Sequence, residues 1–225
     1  MSYLDFCQNM TQFIQNCPSM FHSVATIEKE LQAKNYTLLK EKEAWNIEPG
    51  HGYYVIRNNS SICAFYVPQE ITDYHFQISA SHSDSPTYKI KAIPEYKGPE
   101  PYVRLDVEAY GGMIDSTWFD RPLTIAGRVL VETDKGLENR LLYIDRDILM
   151  IPNVCIHFNR QVNDGYSYNR AVDLPPMLSA GEMKKGSFDE MVAKELGVEV
   201  SAIRGKDLFL VNRQNGLVWG YYKDS

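Results

Sequence analysis

The sequence predicts an α/β fold in which a β-rich unit is inserted after a first α/β segment. Three observations support this prediction: an early apolar repeat with helical spacing, strand-like runs directly after it, and a strand-like stretch over about residues 88–158 with little room for helices. The composition changes near residues 92–101, and we place a domain boundary there. At 225 residues the chain can bury a sizeable core.

The first predicted element is an amphipathic helix over residues 19–35. Ser19 is its candidate N-cap, and spacings of three and four residues place on one face Val24, Ile27 and Leu31. His22 falls in the first turn. No second metal-ligand side chain shares its face, so we expect His22 to pack or to form hydrogen bonds rather than to bind a metal.

Strand-like runs follow this helix. Residues 53–57 and 62–67 flank the turn residues 58–61, which predicts a hairpin. Residues 75–80 have the pattern of a third strand, and this strand leads into the polar loop 81–86. Because α/β folds commonly place their chemistry at strand ends, this loop is the first candidate site.

The β-rich stretch and the C-terminal part contain further predicted elements. Four strands are expected at residues 103–109, 123–132, 140–144 and 153–158. A helix is expected to begin at Ser187, which can form a capping box with Glu190, and to end at Gly197. One more strand is predicted at residues 207–211.

Composition and charge exclude several classes of function. A net charge of −6 argues against a nucleic-acid partner. No apolar run approaches the roughly 18 to 20 residues needed to span a bilayer, and the N-terminus has no secretory pattern, so we expect no membrane contact and a cytoplasmic location. The four cysteines are scattered, which indicates reduced thiols.

The tripeptide His82-Ser83-Asp84 in the polar loop is the sharpest local motif. Side chains two apart in extended backbone point the same way, so the imidazole and the carboxylate can converge. One ring nitrogen of His82 could bind a metal while the carboxylate orients the ring or polarises metal-bound water. The alternative is a purely structural loop in which Asp84 accepts backbone N–H bonds before Pro86.

Two other segments carry candidate groups. His157 ends an apolar run, and its neighbour Arg160 could bind a carboxylate, although a half-buried histidine and a solvated arginine are the ordinary alternatives. Residues 118–123 combine two aromatic side chains with an Asp/Arg pair, which fits packing at a subunit contact or ligand binding. His51 and His75 have no partner pattern, and we assign them no role.

Several stretches together resemble the aspartyl aminopeptidase family of dinuclear zinc metallopeptidases. They occur in the family's order, and the ordered set is specific although no single stretch is. The matching stretches are residues 17–24 (CPSMFHSV), 81–86 (SHSDSP), 110–112 (YGG), 118–123 (WFDRPL), 126–129 (AGRV), 151–152 (IP) and 156–160 (IHFNR).

The resemblance implies a catalytic α/β domain interrupted by a β-rich domain that forms dimers and larger homo-oligomers. It assigns residues 1–92 to the first part of the catalytic domain, 93–205 to the β-rich domain and 206–225 to a return to the catalytic domain. It implies that His82 is a zinc ligand and that Asp84 is its catalytic companion acid. His157 is expected to contact metal or substrate in an active site, that of the neighbouring subunit.

The implied activity is release of N-terminal Asp or Glu from peptides with two Zn²⁺ ions per complete site; Mn²⁺ or Co²⁺ could share such ligands. Family members continue with a second catalytic segment that supplies the remaining ligands, and this sequence ends before it. The chain is then a fragment, a natural truncation, or one half of a site completed by another polypeptide. Uncovered sheet edges and apolar faces predict marginal solubility or oligomerisation.

Two other functions fit the same sequence. The chain could be a non-catalytic assembly or regulatory subunit that joins intact partners through the β-rich domain. It could also belong to another dinuclear exopeptidase or amidohydrolase with a similar His-x-Asp strand end and a different substrate. Hydrolysis by the isolated chain, and the N-terminal residue that is cleaved fastest, would separate these hypotheses.

Overall fold

The computed structural model describes residues 2–73, 75–96 and 99–224. The chain divides into two compact units. The first, which we call the N-terminal unit, contains Met1–Ser85 and Val218–Ser225; the second, the sheet unit, contains Pro86–Leu217. The secondary structure is mixed α/β, which confirms the predicted fold class.

The N-terminal unit starts with two helices and continues into a small sheet. Helix α1 is Tyr3–Gln15 and helix α2 is Met20–Ala33, and the strands are β1 (Thr37–Leu38), β2 (Gly52–Arg57) and β3 (Ser61–Tyr66). Strand β2 lies in the middle, parallel to β1 and antiparallel to β3. Helix α2 and the β2–β3 hairpin confirm the two predicted elements.

Local chemistry accounts for the start of α1 and for the hairpin turn. Asp5 N–H donates to Ser2 Oγ over 3.2 Å and Ser2 N–H donates to Asp5 Oδ2 over 2.8 Å, so the two residues form a capping box. In the turn, Asn58 and Asn59 have φ of 50° and 55°, the left-handed conformation that Asn tolerates better than most residues.

The N-terminal unit has a small core. Its buried apolar residues, among those that the structure describes, are Phe21, Val24, Leu39, Tyr53 and Tyr54. The sheet unit contains the remaining buried apolar residues and the large hydrophobic cluster. The two units therefore differ strongly in how much apolar surface they bury.

The sheet unit is built on six antiparallel strands in the order β7-β6-β9-β4-β5-β8. Its elements are β4 (Thr87–Tyr96), β5 (Val103–Tyr110), a 3₁₀ helix (Asp115–Trp118), β6 (Leu123–Thr133), β7 (Gly136–Tyr143), β8 (Met177–Ser179), α3 (Phe188–Leu196), a second 3₁₀ helix (Val200–Ala202) and β9 (Ile203–Asn212). Within residues 2–73, 75–96 and 99–224, none of the helices combines the length and hydropathy required to traverse a bilayer.

The two faces of this sheet differ in chemistry because side chains alternate along each strand. On one face Tyr88 and Ile90 of β4 join the core cluster, which also contains Phe188 of α3. On the other face Asp207 pairs with Lys89 and with Arg128, each over 3.0 Å. Burial alone would raise the pKa of Asp207, but the hydrogen bonds from its two basic partners hold that pKa below its ordinary value.

Close backbone contacts fix β9 against its neighbours. A Cβ atom added at Gly127 of β6 would lie 2.0 Å from the carbonyl oxygen of Asp207, so only glycine fits there without moving β9. On the other side of β9, Thr87 Oγ1 donates to the carbonyl of Leu210 over 2.6 Å, and Lys89 pairs with Phe209 in the antiparallel register.

Helix α3 begins with a cap that the sequence analysis did not predict. Ser187 makes no side-chain bond to the helix and instead donates from Oγ to the carbonyl of Lys184 over 2.5 Å, so the predicted capping box with Glu190 is wrong. Glu95 of β4 takes its place, because its carboxylate accepts the N–H groups of Gly186 (2.5 Å) and Phe188 (3.0 Å). Gly197 ends the helix with φ of 64°, as predicted.

Two predicted strands are absent from the described structure. Residues 75–80 are exposed and belong to no strand, and residues 153–158 are exposed and belong to no strand either, with a turn at 156–158. In both segments the apolar alternation is present without a neighbouring strand: the side chains of Phe76 and Ile78 are 74% and 82% exposed. Strand pairing depends on distant backbone, which a local pattern does not contain.

The unit boundaries also differ from the predicted ones at residues 92/93 and 205/206. Strand β4 runs without interruption from Thr87 to Tyr96, so the change of unit falls before it, between Ser85 and Pro86. Strand β9 pairs with β6 from Ile203 to Asn212 and therefore belongs to the six-stranded sheet. The return to the N-terminal unit comes at Val218.

Candidate metal-binding site

His82 and Asp84 come together in the loop that follows residues 75–80. The Nδ1 atom of His82 lies 2.8 Å from Oδ1 of Asp84. The His82 side chain is 92% exposed, whereas that of Asp84 is 30% exposed. A carboxylate that accepts the Nδ1 proton keeps the imidazole in the tautomer whose Nε2 is unprotonated, which is the form that binds a metal ion.

The loop is attached to the neighbouring hairpin by the residue between these two. Ser83 Oγ donates to the carbonyl of Ser60 over 2.8 Å, and Ser60 lies in the turn between β2 and β3. Because successive side chains of extended backbone point in opposite directions, Ser83 points towards the hairpin while His82 and Asp84 point together to the other side. This geometry is the one that the metal-binding interpretation of the motif requires.

The pair fits part of a zinc shell. A catalytic zinc ion takes three protein ligands and keeps one position for water or substrate. In the described part of the chain, no three side chains of His, Cys, Asp or Glu lie close enough together to hold a metal ion. His82 could supply one imidazole ligand with Asp84 as the carboxylate that orients it.

His157 lies in the sheet unit, in an exposed turn region and not in a strand. The backbone turns at this point, since Phe158 N–H donates to the carbonyl of Cys155 over 2.9 Å. Several apolar neighbours are also exposed, namely Val154, Ile156 and Phe158. The expectation of a half-buried strand histidine is wrong, and His157 is instead presented to the surroundings together with an apolar patch.

Residues 118–123 anchor the segment that carries His157. Trp118 packs edge-on against Tyr88, and Phe119 packs against Tyr168. The ring centroids of the two pairs are 5.2 Å and 4.9 Å apart. Asp120 accepts the backbone N–H of Asn153 over 2.9 Å. The aromatic and acidic side chains of this motif therefore have packing and capping roles within the sheet unit.

A second anchor was missed by the sequence analysis. Asp115 accepts a bond from the Tyr88 hydroxyl over 2.6 Å and one from Arg170 Nε over 2.9 Å. Burial raises the pKa of Tyr88, so its hydroxyl keeps its proton and donates it to the carboxylate. The three residues are separated by 27 and 55 positions, and no short-range pattern relates them.

His22 packs and forms a hydrogen bond, as its position on α2 predicted. A hydrogen bond of 2.8 Å joins Ser19 Oγ to His22 Nδ1. Burial lowers the pKa of His22 to about 4, so the ring is neutral at pH 7.

The sheet unit also has an open groove of about 480 Å³. Its lining includes Arg121, Asp147, Met150 and Met177. None of the candidate residues His82, Asp84 and His157 lines it.

The sequence of this chain matches one class of protein. Residues 13–224 match the model of the family described as aminopeptidase I zinc metalloprotease (M18). This chain belongs to the M18 family of aminopeptidases.

Curated relatives and solved structures agree with this membership. A probable M18 family aminopeptidase 2 of Clostridium novyi is 41% identical over 96% of this chain, and one of Pseudomonas paraeruginosa is 34% identical over 95%. The chain spans 52% and 51% of these relatives, about half of their length.

Among solved structures, the chain is similar to one in a cryo-EM complex of Ape4 and Nbr1, with a TM-score of 0.88, 30% identity and coverage of 96% of this chain and 46% of that one. It is also similar to yeast aminopeptidase 1, with a TM-score of 0.77, 26% identity and coverage of 99% and 51%.

Proposed function

We propose that this chain forms the first half of an M18 aminopeptidase site that releases N-terminal Asp or Glu from peptides. The observation that carries the proposal is the 2.8 Å contact between His82 Nδ1 and Asp84 Oδ1 on an exposed loop. In this proposal the metal ligands other than His82 and His157 lie in the half of the family sequence that the chain does not span.

Each residue of the pair has a defined task. His82 binds a metal ion through Nε2, and Asp84 holds the proton on Nδ1 and fixes the orientation of the ring. Two zinc ions, when bound in the complete site, supply a Lewis acid and an activated water; Mn²⁺ or Co²⁺ could take their place. The preference for acidic N-terminal residues is carried over from the resemblance to aspartyl aminopeptidases.

The proposed task of His157 is to contact metal or substrate in the active site of a neighbouring subunit. Its exposure on a turn anchored at both sides, by Asp120 and by Asp115, supports this task. An exposed histidine can reach into another molecule, and the anchors at both ends of its segment reduce the ordering that binding requires.

The two units have separate proposed roles. The N-terminal unit is the first part of a catalytic domain, and the sheet unit is the domain through which copies of the chain associate. A structure of the related Ape1 is a dodecamer, which supports a homo-oligomer. We further propose a cytoplasmic location, with peptides and not nucleic acids or membranes as binding partners.

The test is an activity assay in which the chain is mixed with the separately produced remaining half of the Clostridium novyi relative and Zn²⁺ or Mn²⁺. Chromogenic substrates with N-terminal Asp, Glu, Leu and Ala are compared. We expect turnover in the mixture, fastest for Asp or Glu. His82→Ala should abolish it, and Asp84→Asn should reduce it by roughly 10- to 100-fold, the range typical of residues that orient a metal-bound histidine.

The matched control is His51→Ala, which removes another exposed histidine of the N-terminal unit. It should leave turnover unchanged. Turnover that survives His82→Ala would refute the assignment of His82, and faster cleavage of Leu than of Asp would refute the acidic preference and favour another dinuclear exopeptidase. For His157→Ala we expect loss of turnover with unchanged stability, and the zinc content of that variant separates a metal contact from a substrate contact.

A second function is a non-catalytic assembly subunit. It is favoured by one observation, the lack of any three-ligand cluster among the described residues. A chain that assembles with full-length M18 relatives and never supports turnover would identify it.

A further inference from the structure

The candidate histidine of the sheet unit lies on a long excursion of the chain, residues 152–173, which we call the arm. The arm begins and ends at one place in the fold, because Met150 and Met177 form an antiparallel bridge with backbone hydrogen bonds of 3.2 and 2.8 Å. Ile151 and Leu174, the residues next to its two ends, are completely buried in the core cluster. The two ends of the arm are therefore fixed to the sheet unit.

The distal part of the arm, residues 154–165, carries His157 and is largely exposed. In the described chain, each hydrogen bond of these residues joins partners at most three positions apart, such as Phe158 N–H and the carbonyl of Cys155. These bonds form local turns, and none of them attaches the distal part to the sheet unit. The position of His157 therefore depends on how the rest of the arm is held.

The proximal part of the arm, residues 166–173, is attached to the sheet unit by an aromatic and an ionic contact. The ring of Tyr168 packs against Phe119 of the core cluster, with centroids 4.9 Å apart. Arg170 Nε donates to Asp115 Oδ2 over 2.9 Å. The ionic contact is the stronger constraint on direction, because a charge-assisted hydrogen bond fixes the orientation of donor and acceptor.

The proximal part is also bonded internally. The carboxylate of Asp173 accepts the N–H of Asn169 over 2.7 Å and the hydroxyl proton of Tyr166 over 3.1 Å. The rings of Tyr166 and Tyr168 pack edge to face with centroids 5.3 Å apart. Because Arg170 lies between Asn169 and Asp173, its contact with the sheet unit holds this whole bonded group.

Asp115 is oriented for this contact by a residue of the core. Its other carboxylate oxygen, Oδ1, accepts the hydroxyl proton of the completely buried Tyr88 over 2.6 Å. The side chain of Asp115 is 18% exposed and that of Arg170 is 46% exposed. A carboxylate with a fixed orientation binds a guanidinium with little further ordering. Substitution of the more exposed Arg170 leaves the bond between Asp115 and Tyr88 in place.

We propose that Arg170 and Asp115 are positioning residues for His157. Their ion pair fixes the proximal part of the arm and, through it, the place at which the distal part presents the imidazole. The inference rests on the proposed function for the task of His157 and adds which residues hold that group in place. Functional groups must be held to within about half an ångström, so release of the arm lowers activity although the pair itself contacts neither substrate nor metal.

The mobility of a spin label tests this positioning without catalysis. A nitroxide is attached to Cys155, two positions before His157, in a chain whose other three cysteines are replaced by serine. In paramagnetic resonance spectra, Arg170→Met should shorten the rotational correlation time of the label at least about twofold, because the proximal part is released. The matched control is Arg146→Met, which removes an ion pair with Glu195 of similar exposure and should leave the label unchanged.

Turnover in the mixture with the remaining half of the Clostridium novyi relative tests the consequence for His157. Arg170→Met should lower kcat/KM by about 10- to 100-fold, whereas Arg146→Met should leave it unchanged. Arg170→Lys should recover most of the loss, because the contact is made through Nε and a lysine ammonium reaches at least as far. The midpoint of thermal unfolding should fall no further for Arg170→Met than for Arg146→Met.

Unchanged mobility of the label in Arg170→Met, or turnover equal to that of Arg146→Met, would overturn the proposal. Failure of Arg170→Lys to recover turnover would also count against it, and a fall of the unfolding midpoint beyond that of the control would give the pair a structural role instead. A more mobile label in Arg170→Met, combined with no turnover even for the unsubstituted chain, would uphold the positioning of the arm and refute the proposed function.

Discussion

His22 gives the N-terminal unit a pH dependence that can be measured. In the unfolded chain its imidazole titrates near 6.5, whereas burial in the folded chain lowers the pKa to about 4. Between these values the unfolded state binds more protons, so stability is complete above pH 6.5 and is lost as the pH falls towards 4.

We expect the free energy of unfolding to fall by up to about 1.4 kcal/mol per pH unit between pH 6.5 and 4, and His22→Gln to remove most of this slope. Urea unfolding at four pH values would measure it. His75→Gln is the control, since His75 is exposed and its loss should leave the slope unchanged. An equal slope in wild type and His22→Gln would contradict the expectation.

At the same scale, sequence proximity explains which site residues could be predicted. His82 and Asp84 are two positions apart, so extended backbone alone brings their side chains together. Asp115 and Arg170 are 55 positions apart and meet only because the fold brings them together. In residues 2–73, 75–96 and 99–224, no three side chains of His, Cys, Asp or Glu lie close enough together to hold a metal ion, so short-range patterns in this chain predict the His82–Asp84 pair and no complete set of ligands.

At the scale of elements, the start of α3 tests whether a distant residue can replace a local cap. Glu95 accepts two N–H groups there, and its negative charge lies at the positive end of the helix dipole. Ser187, at the position where sequence alone predicts the cap, makes no such bond. We therefore expect mutation of Glu95 to destabilise the start of α3 and mutation of Ser187 to have little effect on it.

Glu95→Ala should destabilise the sheet unit by about 1–2 kcal/mol, because it leaves the two N–H groups without their acceptor. Ser187→Ala should cost less than about 0.5 kcal/mol. Thermal unfolding of both variants would compare them directly. A larger loss of stability for Ser187→Ala than for Glu95→Ala would contradict this and support the capping box between Ser187 and Glu190.

Elements, like pairs of residues, could be predicted where the signals that specify them lie close together in the sequence. Helix α2 and the β2–β3 hairpin were predicted because their signals, an apolar face and two Asn residues in the turn, lie within the element itself. Residues 75–80 and 153–158 have strand periodicity without strand structure, because periodicity says nothing about whether a neighbouring strand is present.

At the scale of the whole molecule, the unequal cores predict unequal stability. The most protected amides should lie in β6 and β9, which pair along most of their lengths within the large cluster. The N-terminal unit should exchange faster, including β2 and β3. Hydrogen exchange with mass spectrometry on the isolated chain would test this order, and uniform protection across both units would contradict it.

The pairing of β4 with β9 has a consequence for engineering. The chain enters the sheet unit at Pro86 and leaves it after Leu217, and the strands that follow the entry and precede the exit lie side by side, joined by the bond from Thr87 to Leu210. A module whose two ends meet in this way can be exchanged as a cassette. Chimaeras that carry the sheet unit of one relative between residues 85 and 218 of another would then test the roles proposed for the two units separately.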